Sequence, residues 1–175
     1  PVRLNLFDKI TVGESRKNPV YVMKQENEAI YVQLDEETVR AFLLGLGCEN
    51  AAAFETGPVG SRLLENMYRM SMFLDDLPGT GQAPNPYLAA YTLLHTMSHH
   101  VIHAVAEYSG LDLGSLGEYI FPADLAFVVY RNGMTMDLGN LSAMWRNQGK
   151  AFLEHLLSPK SLSCGLGMLC SKRGG

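Results

Sequence analysis

Charge is scarce in this sequence. Only 18% of its 175 residues are Asp, Glu, Lys or Arg, against about a quarter in an ordinary soluble domain. The 14 basic residues are outnumbered by 18 acidic ones, for a net charge of −4. A field of that sign repels a phosphate backbone, so nucleic acid cannot be collected by overall charge and any contact with it must be local. Cysteine is scarce too: Cys48, Cys164 and Cys170 are an odd set of three, which excludes the disulfide framework of a small secreted domain. No stretch reaches the roughly 18 uninterrupted apolar residues of a membrane span, and no basic segment leads into an apolar one at the start. These absences predict a cytoplasmic protein. A Walker loop, a Rossmann glycine fingerprint and a nucleophile elbow are also missing. The run Pro78-Gly79-Thr80-Gly81 does not replace them, because it lacks the Walker lysine and follows the acidic pair Asp75-Asp76.

What is present is apolar. Hydrophobic residues make up 47% of the chain, including nine Met and eight Tyr, enough for the core of one domain. So lean a surface implies that a partner covers part of it. The chain starts at Pro1 without Met and ends in Lys-Arg-Gly-Gly. The expected organisation is a single domain over 1–175, part of a larger protein, with a flexible cysteine-containing tail over 159–175.

Apolar and polar residues alternate over Pro19 to Lys24 and Ala29 to Leu34, on either side of the polar turn Gln25-Glu26-Asn27-Glu28, which predicts a β-hairpin. Asp35 then stands as N-cap before Glu36-Glu37, with Val39, Phe42, Leu43 and Leu46 at helical spacing and Gly47 as the stop. A second amphipathic helix is expected over 61–74, burying Leu63, Met67, Met70 and Leu74. The Pro- and Gly-rich stretch 77–86 reads as a loop. Asn85-Pro86 has the form of N-cap and N1 for a helix reaching Gly110, apolar or small on nearly every face, and therefore central. Ser115 and Glu118 have capping-box spacing for a short helical turn over 115–120. Leu125 to Tyr130 is of strand length, and Asn132-Gly133 is a hairpin signal. Asn140 caps a last helix with Leu141, Met144, Trp145, Phe152 and Leu156 on its apolar stripe, ended by Pro159. Together these predict an α+β fold of short β-hairpins packed with a central buried helix and flanking amphipathic helices.

His95, His99 and His103 recur every fourth residue on the central helix, with His100 one step around. Histidines at i and i+4 meet on one face and can share an ion such as zinc or nickel. A zincin would carry Glu beside the first His, where Thr96 stands, and the stripe itself holds no carboxylate, Glu107 being the nearest. The competing reading is structural: core histidines hydrogen-bonded to backbone or to Thr92, Thr96 and Ser98. Without an acidic partner, the structural reading is the one the residues favour over a metal-dependent hydrolase or nuclease. Cys164 and Cys170 supply at most half of a tetrahedral zinc site, and free thiols are an equal reading of their spacing. Cys48 reads as a small core residue. Lys160, Lys172 and Arg173 are the basic residues placed to touch a phosphate backbone, and they are few.

The run Tyr91-Thr-Leu-Leu-His-Thr-Met-Ser-His99, then Val101-Ile102-His103, Glu107-Tyr108-Ser109-Gly110 and Leu113-Gly-Ser-Leu-Gly-Glu-Tyr-Ile120, resembles the C-terminal domain of the DrmB family of phage-defence proteins. Phe127-Val-Val-Tyr130 and Leu138-Gly139-Asn140-Leu141 occupy the places of the family's apolar strand and glycine-containing loop, and Ala29 to Glu37 resembles its strand, acidic cap and helix. The likeness lies in the order of short motifs over most of the chain. It implies a non-catalytic scaffold or DNA-engagement domain that partners a helicase subunit in DISARM-like antiviral defence and meets DNA through that complex. It also implies that Cys164 and Cys170 match the first half of a four-cysteine structural zinc site. The second cysteine pair is not in this sequence, so either the site is completed beyond Gly175 or this member has lost the metal. Where the family has a glycine pair before the last helix, this chain has Gly139-Asn140, which leaves open whether that loop contacts DNA.

Overall fold

The computed structural model describes residues 9–17, 19, 26–67, 83–132 and 140–158. Within them the chain is α+β, with four α-helices, a two-stranded and a three-stranded antiparallel sheet. Ile10–Val12 (β1) and Ser15–Lys17 (β2) form a small exposed hairpin that periodicity does not announce. Ala29–Gln33 (β3) is the expected strand, but its partner is Ala126–Arg131 (β5), which also pairs with Leu116–Phe121 (β4), giving the order β3-β5-β4. The predicted first arm of the hairpin, from Val20 onward, lies outside the described residues.

Helix α1 (Glu36–Leu46) forms as read: the Asp35 carboxylate accepts from Thr38 N–H, and Gly47 closes the helix at φ 65°. The Thr38 hydrogen bonds hold the Asp35 carboxyl below its usual value. Val39 and Leu43 are buried, whereas Phe42 and Leu46 stay largely exposed, so the buried stripe is narrower than expected. Helix α2 (Val59–Glu65) starts earlier than 61. Leu63 is buried, but Met67 is exposed past the helix end, and Met70 and Leu74 lie outside the described residues, as does 77–82 of the predicted loop.

Helix α3 (Pro86–Ser109) is the axis of the molecule. The Asn85 side chain accepts from Leu88 N–H, Pro86 occupies the first turn, and Gly110 ends the helix at φ 72°. Ala89 and Ala90 join Val39, Leu43, Phe54, Val59 and Leu63 in one cluster; Leu94, Val101, Ala104 and Val105 join Phe127, Val129 and Phe152 in the other. One helix thus links two apolar cores, and each fully buried Phe or Leu in them stabilises the fold by roughly 2 to 3 kcal/mol. Cys48 is in the first cluster, and burial raises its thiol pKa, as befits a small core residue.

Two expectations fail for physical reasons. Residues 116–121 form β4 instead of a helical turn: Asp112, not Ser115, supplies the local cap by accepting from Gly114 N–H, and Leu116, Glu118 and Ile120 then alternate toward α3. The hairpin signal at Asn132-Gly133 leads into residues outside the described ones; within the described residues β5 is central, flanked by β3 and β4, and Asn132 N–H donates to Ser115 C=O. On α4 (Asn140–Leu156), Leu141, Met144 and Phe152 face the core, but Trp145 is half exposed, its ring lying over Gly149. Among the described residues, no helix is long and apolar enough to cross a membrane.

Candidate metal centre

The i, i+4 spacing on α3 stacks the His95 and His99 rings edge to face, with centroids 4.5 Å apart. Across from them, strand alternation aims Glu118 of β4 at the helix, between the inward-facing Leu116 and Ile120. Its Oε1 lies 3.1 Å from His95 Nε2 and 3.6 Å from His99 Nε2. Its Oε2 accepts from the hydroxyl of Ser98, which is fully buried and also within 2.8 Å of the His95 carbonyl. One carboxylate oxygen is therefore held by Ser98 while the other is left to the histidines. Tyr91, a turn before His95, packs its ring against that imidazole.

The ligand atoms of His95, His99 and Glu118 all lie within 4.8 Å of one another, so this group could hold a metal ion. A tetrahedral ion bound at about 2.0 to 2.1 Å sets its ligand atoms roughly 3.3 Å apart, and the two nitrogen-to-oxygen distances fall on either side of that spacing. The carboxylate that the histidine stripe lacks in sequence thus arrives from 19 residues beyond His99, on a different element. The signal for it was present in Leu116-x-Glu118-x-Ile120, a charged residue at an inward position of an alternating strand.

The remaining candidates separate from this group. His103 is exposed and does not join it. His100 turns the other way, its Nε2 lying 3.3 Å from the Leu156 carbonyl of α4. Glu107 faces His155 at 3.8 Å instead of His103. The histidines are not buried core residues: the side chains of His95 and His99 keep 38% and 41% of their exposure, which leaves an ion there open to solvent. Cys164, Cys170, Lys160, Lys172 and Arg173 lie outside the described residues. A separate depression lined by Asp35, Glu36 and Asp124 holds none of the histidines.

In the metal-free chain the group is a proton-linked clamp between α3 and β4. Hydrogen bonding to Glu118 raises the His99 pKa above its usual 6.5, against the opposing effect of burial. Burial pushes Glu118 up, but hydrogen bonds from His99 and Ser98 and the charges of both histidines outweigh it, leaving the carboxyl below its usual 4.5. The His99 contribution to stability is complete below 6.5 and is lost as pH rises through the raised value. The Glu118 contribution is complete above 4.5 and is lost as pH falls through the lowered value. Urea midpoints of the metal-free chain should therefore carry the full contribution of the pair between 4.5 and 6.5. In His99→Gln the alkaline decline should flatten; an unchanged pH profile would remove the clamp.

Comparison with protein-family models, with curated proteins and with solved structures finds no match to this chain.

Proposed function

We propose that this chain is a non-catalytic accessory domain of a nucleic-acid-processing assembly, partnering a helicase subunit in antiphage defence, and that zinc is the ion its His95–His99–Glu118 group takes. One observation carries the reading. The polar residues of two of the motifs that carry the resemblance to the DrmB family, His95, Ser98 and His99 in Leu-His-Thr-Met-Ser-His and Glu118 in Ser-Leu-Gly-Glu-Tyr-Ile, meet in one polar group. Residues that far apart in sequence converge there because α3 and β4 share the same core cluster. In this role the ion pins helix to sheet, much as the charged pair does without it. The pair Cys164 and Cys170 would form a second zinc site once two more ligands are supplied.

DNA engagement then belongs to the complex. With a net charge of −4, the isolated chain should bind DNA weakly, and tight salt-dependent binding should emerge only when the helicase contributes its positive charge. Fluorescence anisotropy at two salt concentrations, with and without the co-purified helicase, measures this. Tight, salt-sensitive binding by the isolated chain would overturn the reading.

A second reading, a metal-dependent hydrolase or nuclease, is favoured by one feature: among the described residues only three protein ligands gather, which leaves a position open, as catalytic zinc sites do. Hydrolysis of oligonucleotides or phosphodiester reporters by the zinc-loaded chain, lost in His99→Ala, would select it. Zinc binding without turnover selects the accessory role.

A further inference from the structure

Among the described residues, no fourth His, Cys, Asp or Glu joins His95, His99 and Glu118. An ion held there is short of the four ligands of a closed tetrahedral site, and the missing one must come from outside the group. The half-exposed imidazoles leave that position accessible. Charge decides what suits it. Two neutral imidazoles and one carboxylate leave a bound dication with one net positive charge, and neither α3 nor β4 contains a Lys or Arg. The ion would be the only fixed positive centre on these two elements. Zinc accepts oxygen donors readily beside nitrogen.

We propose that the loaded site takes a phosphate-type oxyanion at its open position, making it a metal-dependent anion site at the junction of α3 and β4. This rests on the metal-binding part of the proposed function. Ser98 is the positioning residue: by holding Glu118 Oε2 it leaves Oε1 to the ion, so the carboxylate binds through one oxygen and does not fill the open position. The same chemistry fits a nucleic-acid phosphodiester or free phosphate.

Cobalt(II) tests the two layers separately, because its visible absorption reports ligand number and type. Titration of the metal-free chain with cobalt alone should give one site, with bands weakened at least tenfold in apparent affinity in His99→Ala. Adding inorganic phosphate or, in a second arm, a single-stranded oligonucleotide should then shift those bands while cobalt stays bound. A shift with phosphate alone identifies a free-anion site, and a shift with the oligonucleotide identifies a backbone contact; either supports the oxyanion assignment. Ser98→Ala should loosen Glu118 and reduce the phosphate-induced shift by several-fold more than it reduces cobalt affinity. Bound cobalt whose spectrum neither anion moves would overturn this inference and leave the metal reading standing. No cobalt binding would overturn both.

Discussion

Glu118→Gln should lower the zinc affinity of the chain by about 100-fold or more, since even supporting residues around a metal commonly account for 10- to 100-fold. Glutamine keeps the shape of the side chain and an oxygen that can still accept from Ser98, so the fold should persist. What disappears is the negative charge, together with the strong donor at the point 3.1 Å from His95 Nε2 and 3.6 Å from His99 Nε2. Isothermal titration with zinc, at a pH where both imidazoles are neutral, measures the loss. Circular dichroism run alongside separates it from unfolding. Parent-like affinity in Glu118→Gln would mean that the carboxylate is only a hydrogen-bonding clamp, and the metal assignment would go with it.

Gly60→Ala should destabilise the chain by about 3 kcal/mol, the upper end for overpacking a filled interior. A Cβ at Gly60 would sit 1.8 Å from the carbonyl oxygen of Ala123, an impossible distance, and the obstacle is backbone that cannot swing aside as a side chain could. Here α2 lies directly on the turn Pro122–Asp124, which joins β4 to β5. Separating them would open the cluster built around Phe54, Val59, Leu63 and Leu125. For a chain of this size the loss corresponds to a fall in melting temperature of roughly 6 to 12 °C. Gly45→Ala is the control: it lies in α1 with nothing within 4 Å of its Cβ, and should stabilise by about 0.5 to 1 kcal/mol through helix propensity. If thermal unfolding places both variants together, the close approach of α2 to the turn is wrong.

Helix ends and the central helix were legible because their causes are local. Asp35 and Gly47 around α1, and Asn85-Pro86 and Gly110 around α3, act through backbone groups only a few residues away. Strand β5 was legible from its unbroken apolar run, and Cys48 as a core residue from its kind. The 115–120 turn was misread because Ser115 and Glu118 match a cap by spacing. The inward alternation of Leu116, Glu118 and Ile120 won once β4 could pair with β5. Trp145 and Met67 show the same limit from the other side: helical spacing says which residues share a face but not how much of that face a neighbour covers.

By itself the sequence determined the central helix, the termini of α1 and α3, and the sharing of one helix face by His95 and His99, since all of these follow from backbone chemistry and a period of 3.6 residues. Only the tertiary structure decided which histidines acquire a carboxylate. Glu118 reaches His95 and His99 because β4 is an outer strand of the sheet packed on α3, while His103 projects to solvent and His100 toward α4. Strand order and the packing of helix on sheet are set by the sum of many weak apolar contacts distributed over both cores, and no short window of sequence contains that sum.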